Sequence, residues 1–150
     1  MDDAETRLEG FIARFSDPVA AQARAAIAAM RARLPGAVIL VYDNYNALAV
    51  GFGATEKQSG LVFSIAVYPR WVSLFFARGV QLSDPEGLLK GEGSRVRHIV
   101  LEETATLDAP GVRALMDQAL ALADPPIDPD RAGRVIIQSV SAKQRPRRPA

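Results

Sequence analysis

Four short apolar runs constrain this chain more than anything else in it: "AVILVY", "ALAVGF", "LVFSIAVY" and "WVSLFFA", which follow one another from residue 37. Each is rich in β-branched and aromatic residues and bounded by turn residues, the pattern of a strand. "GATEKQSG", residues 53 to 60, is polar and reads as a hairpin loop. "YPRW" leaves so short a link between Tyr68 and Trp71 that the strands it joins must be antiparallel neighbours. The result is a β-meander.

Helical spacing flanks the meander on both sides. Leu8, Phe11, Ile12 and Phe15 recur on one helical face. After "SDP", where Asp17 can cap and Pro18 suits the first helical position, Val19, Ala23, Ala26, Ile27, Met30 and Leu34 continue a second stripe. That helix spans roughly residues 18 to 34 and stops at "PG". Beyond the four strands, "SDPEGLLKG" reads as a capped helical turn ended by Gly91, and "VRHIVL" as a further strand. Asp108 and Pro110 start a last helix, with Val112, Leu115, Met116, Ala119 and Leu122 on one face. "ADPPIDPD" holds too many prolines for helix or central strand, so residues 124 to 133 form a surface linker. "RVIIQSV" is a final strand or docking segment. The expected fold class is α+β: two layers, a mainly antiparallel sheet with helices packed on one face. The domain is expected to cover residues 1–140, and the proline- and arginine-rich residues 141–150 to be a disordered basic tail.

A chain of 150 residues has room for one sizeable core and not for two. The absence of cysteine removes disulfides, thiolate metal sites and cysteine nucleophiles together. No apolar stretch approaches a membrane span, and "MDDAETRLEG" is acidic where a secretory signal is basic and then apolar, so the expected location is cytoplasmic. The chain has 18 Lys and Arg against 17 Asp and Glu. Four of those cations, Lys143, Arg145, Arg147 and Arg148, stand in the last eight residues, so the rest of the chain is net acidic by three. Nucleic acid is therefore an unlikely partner except weakly, through the basic stretch 143–148.

Several groups carry potential chemistry. "KGEGSR" places Lys90 and Arg95 beside two glycines, but it leads into a strand, whereas a phosphate loop leads into a helix; a turn is the first reading and an anion site the second. His98, the only histidine, reads first as a hydrogen-bonded structural residue and second as a general base. "VYDNYNA" gathers Tyr42, Asp43, Asn44 and Tyr45, which form either a turn stabilised by its own side chains or the wall of a polar pocket. Arg70 and Trp71 suit stacking or cation–π contact, against a plain rim role for the tryptophan. Asp2, Asp3, Glu5 and Glu9 crowd the first helix, where the macrodipole favours acids; they are a solvated face or, in the alternative, an oxygen-rich surface for a hard cation.

The order and wording of "VYDNYNALAVGFG", "FSIAVYPRWVSLFFARG", "DPEGLLKGEGSRVRHIVLE" and the later "ALMDQAL" resemble the YdhG-like domain family of small bacterial proteins, a domain of unknown function. The resemblance spans roughly residues 7 to 122, and Lys90, Gly91, Gly93, Arg97 and His98 match its most specific segment. It implies an α+β fold with that segment as a framework turn and strand, and no established catalytic residues. Some members are described as frataxin-like iron chaperones, which makes iron, held by Asp2, Asp3, Glu5 and Glu9, the alternative ligand; no other cofactor is expected. The leading expectation is a non-enzymatic module for a small polar or anionic ligand, and an enzyme using Asp43 or His98 is the third. Its working surface is expected where the turns carrying Tyr42, Asp43, Asn44 and Tyr45, Arg70 and Trp71, and Lys90 and Arg95 meet at one end of the sheet.

Overall fold

The computed structural model of the protein describes residues 3–149. Helices stand where apolar positions recur at helical spacing: α1 (Asp3–Ile12) buries Leu8 and Ile12 one turn apart, and α2 (Asp17–Arg33) buries Val19, Ala23, Ala26, Ile27 and Met30. Extended Ser16 precedes α2, so Asp17 and Pro18 lie inside its first turn, where the missing proline N–H leaves no helical bond unmade. Phe15 falls beyond α1 yet is fully buried between the two helices' ends and the sheet.

The strands β1 (Val38–Asp43), β2 (Leu48–Gly53), β3 (Leu61–Val67), β4 (Val72–Phe76) and β5 (Arg97–Leu101) pair antiparallel in sequence order, one strand further than the four runs alone suggest. Helix α3 (Pro110–Leu122) and an irregular segment then carry the chain back, and β6 (Arg134–Val140) pairs parallel to β1. The sheet order is β5-β4-β3-β2-β1-β6. This is the expected α+β fold with a largely antiparallel sheet. "SDPEGLLKG" differs: it is a turn without a helix. The Asp84 carboxylate accepts the backbone N–H groups of Leu88 and Leu89, each at 2.9 Å, and Gly87 adopts φ 65°, which a helix does not tolerate.

Strand alternation divides the sheet into unlike faces. One turns Ile39, Val41, Leu48, Val50, Phe52, Phe63, Ile65, Leu74, Phe76 and Leu101 toward residues of all three helices, in a single core. Phe63 and Phe76 meet there edge to face at 5.6 Å. Among the described residues the opposite face receives no α-helix. A register shift between Phe52 and Gly53 marks a bulge in the β2–β3 pairing. It lets Val62 enter the core while Leu61 lies over Gly51, where a Cβ would collide with the leucine methyls.

The segment expected to be a disordered tail is instead docked. After β6, the Ser141 N–H donates to the Asp43 carbonyl at 2.8 Å and the Arg145 N–H to the Tyr45 carbonyl at 2.9 Å. Arg147, only 3% exposed, places one guanidinium nitrogen 2.8 Å from a carboxylate oxygen of Asp43, itself 1% exposed. The same guanidinium donates to the carbonyls of Asn44 and Tyr45 and lies over the Phe15 ring, 5.7 Å from its centroid. Gln144 and Arg14 take the second Asp43 oxygen, at 2.9 and 3.4 Å. Composition alone suggests disorder because the segment has almost no apolar anchor, but a buried acid supplies the anchor that apolar residues do not.

Removing one partner of a desolvated ion pair strands the other, at about 3–5 kcal/mol. Replacing Arg147 by Ala, or ending the chain after Val140, should therefore lower the melting midpoint by roughly 10 °C for a domain of this size. Differential scanning calorimetry of both variants checks this; an unchanged midpoint would show that the docked arm contributes nothing.

Candidate functional site

The helix-free face of the sheet has an unusual composition. A sheet face turned to water normally alternates in charged and polar residues, yet β2, β3 and β4 contain no charged residue at all. Most of their outward positions are small: Ala49 opposes Ala66, Gly51 opposes Ser64, and Ala66 in turn opposes Ser73, with Leu61 and Phe75 the large exceptions. Larger side chains stand on either side of this strip. Leu40 and Tyr42 of β1 oppose Gly51 and Ala49, while Phe75 of β4 opposes Ser64 and stacks on His98 of β5 at 5.0 Å. The low floor, with Tyr45, Tyr68, Phe75 and Leu61 standing around it, makes an open trough of about 800 Å³. Leu40 and Ala66 are buried, yet stand outside the core formed with the helices.

The two ends of the trough differ in chemistry. Asn44, Tyr45, Asn46 and Ala47 close one end together with Tyr68, whose ring stacks on Trp71 at 4.6 Å. Gln58, Ser59, Leu61, Arg78 and Arg95 close the other. Arg78 spends one N–H on the Leu122 carbonyl at 2.9 Å. The Arg95 guanidinium has no side-chain partner among the described residues, and no acid lines the trough among them.

The expected site residues therefore separate. Asn44, Tyr45 and Arg95 line the trough, and Tyr42 stands on the same face by its register. Asp43 points the other way, into the helix layer, where Arg147 occupies it. Arg70 and Trp71 sit in the β3–β4 turn, with Trp71, 42% exposed, bracing Tyr68 from outside the trough. Lys90 lies beyond the β5 edge, exchanging backbone hydrogen bonds of 2.8 and 2.9 Å with His98. The three turns do not meet at one end, because adjacent hairpins alternate ends. Leu48 pairs with Val67, so the first two turns share an end, but Arg97 pairs with Phe76 at the other. Arg95 reaches the trough only because the trough runs the length of the sheet. Among the lining residues that the sequence did not single out are Ala49, Ser64, Ala66, Tyr68, Phe75 and Arg78. For Ala49, Ser64 and Ala66 the only signal is small uncharged residues at alternate positions of two successive strands.

Two of the acids on α1, Glu5 and Glu9, are tied up in ion pairs, and none is shown for Asp3 among the described residues. Both Glu5 oxygens accept from Arg31, at 2.7 and 2.8 Å, and this bidentate bond holds the Glu5 carboxyl below its ordinary range. Glu9 pairs with Arg24 at 2.6 Å. Asp2 lies outside the described residues, and among those described no three His, Asp or Glu side chains converge as metal ligands would. His98 stacks on Phe75 and makes no side-chain hydrogen bond among the described residues. Compared with protein-family models, curated proteins and solved structures, the chain matches none.

Burial on the open face pushes the phenols of Tyr42 and Tyr68 above their ordinary value of 10.0. The folded protein thus holds these protons more tightly than the unfolded chain does. Their contribution to stability is intact below pH 10.0 and is lost as the pH climbs through the raised values. Ultraviolet difference titration of the native protein should show two phenols ionising late, with the denaturation midpoint falling over the same interval. Ionisation of every phenol in the ordinary range, with the fold intact, would contradict the burial of these two.

Proposed function

We propose that the protein is a non-enzymatic binding module whose working surface is the helix-free face of its sheet. The observation that carries this reading is the trough of about 800 Å³ floored by Ala49, Ser64 and Ala66. Its volume lies within the roughly 300–1,000 Å³ of small-molecule sites, and its mix of apolar lining with a few polar groups at the ends matches them in kind. An apolar surface of this kind left to water has no structural purpose of its own, whereas a ligand laid along it would complete the burial that the helices give the other face.

Neither Asp43 nor His98 stands in an arrangement that favours catalysis. The Asp43 carboxylate is neutralised by Arg147, and His98 has no carboxylate or nucleophile within hydrogen-bonding reach among the described residues. The resemblance to YdhG-like domains is compatible with such a module. A cytoplasmic setting fits a chain without cysteine in which no helix among the described residues is long and apolar enough to cross a membrane.

Ser64 is the position to test, since its side chain is half-buried in the middle of the floor and bears no structural hydrogen bond. Replacing it by Trp should fill the trough and leave the melting midpoint within a few degrees of wild type. A fragment mixture should shift the amide resonances of Ala49, Ser64, Ala66 and Tyr68 in the wild type and leave the Ser64→Trp protein unmoved. Shifts confined to the helical side, or unaffected by the substitution, would sink the proposal.

A further inference from the structure

We infer that the trough takes a flat aromatic monoanion, with its acidic head at Arg95 and its ring on the Ala49–Ala66 floor. The inference rests on the open sheet face being the binding surface and goes on to the chemistry of what binds there.

Flatness follows from the floor. Ala49 beside Ala66, with Ser64 next along β3, leave nothing taller than a hydroxymethyl group on this part of two adjacent strands, while the Leu61 side chain covers Gly51 and bounds the floor. A plane of Cβ atoms and backbone offers even contact to a planar ring. A flexible chain of equal area would lose rotamer entropy on lying down there. The borders favour rings as well. Phe75 and Tyr68 both line the trough, and each is braced by a second ring, His98 at 5.0 Å and Trp71 at 4.6 Å. Two pre-ordered aromatic side chains meet the edges of a bound ring at little cost in ordering.

The charge follows from the lining, which includes two arginines and, among the described residues, no acid. Arg78 is anchored to the Leu122 carbonyl, whereas Arg95 keeps its whole guanidinium fork for a ligand. A planar fork matches a carboxylate through two parallel hydrogen bonds. With Arg95 the one lining cation, among the described residues, whose whole guanidinium is unbonded, and with Lys90 outside the trough, the site suits a single acidic group better than a polyphosphate. At the opposite end, Asn44 and Asn46 line the trough and could hydrogen-bond a carbonyl or hydroxyl on the far side of the ring system.

Calorimetric titration with naphthoate, its neutral amide and decanoate separates these claims. Naphthoate should bind about tenfold more tightly than naphthamide, the worth of one charge-assisted contact, and more tightly than decanoate. Arg95→Ala removes an exposed side chain that makes no side-chain hydrogen bond or ion pair among the described residues, so its fold should be preserved; it should reduce naphthoate affinity to that of the amide. Ser64→Trp should abolish binding of all three. If naphthamide equals naphthoate in the wild type while Ser64→Trp still removes both, the anion assignment falls and the face remains the site. If decanoate binds best, the flat-ring assignment falls. Binding indifferent to Ser64→Trp overturns the choice of face itself, and no binding of naphthoate at its solubility limit overturns the inference.

Discussion

Three helices do not cover both faces of a six-stranded sheet, and here all three contribute to one core on one side of it. That asymmetry governs the rest of the molecule. On the covered face, the strands present large aliphatic and aromatic side chains that fill the space beneath the helices, as close packing requires. The uncovered face could have been solvated by charged residues, the usual solution for an antiparallel sheet. It is instead paved with alanine, glycine and serine between taller borders, which makes a trough rather than a plane. The bulge at Gly53 contributes to the same result by bringing Leu61 round to close one end.

The second organising interaction is the Asp43–Arg147 pair, at the end of β1 on the face that the helices cover. Two desolvated charges are costly on their own, and here the cost is offset by further partners: Gln144 and Arg14 on the carboxylate, two backbone carbonyls and the Phe15 ring on the guanidinium. One buried nitrogen, Nε of Arg147, lacks a partner. The arm also reaches the opposite face indirectly. The carbonyls that Arg147 holds belong to Asn44 and Tyr45, whose side chains line the trough, so the pair fixes the end wall of the candidate site from behind.

Local pattern was a good guide wherever one neighbour decides a residue's place. The meander was legible because short loops such as "YPRW" leave their strands no other partner, and α2 and α3 were legible because their apolar positions keep helical spacing over several turns. The candidate site was legible only in part. Asn44, Tyr45 and Arg95 stood out as polar groups in turns, and they do line the trough. Its floor did not stand out, because alanine and serine draw attention only once register shows that they lie side by side on adjacent strands. Asp43 was misread for a similar reason: in sequence it sits among residues of the open face, but a period of two sends it to the core face while Tyr42 and Asn44 go elsewhere.

By itself the sequence determined the class of fold, since the change from helical to alternating spacing and the short links between strands admit little besides a meander with helices beside it. It also determined that one face of the central strands would carry no charge. Only the tertiary structure decided which turns share an end, which face the helices leave open, and that a proline- and arginine-rich terminus would dock. These depend on contacts between residues far apart in the chain, above all Arg147 with Asp43. No local pattern encodes them, because the desolvated pocket that makes the pairing favourable exists only after the sheet and helices have assembled.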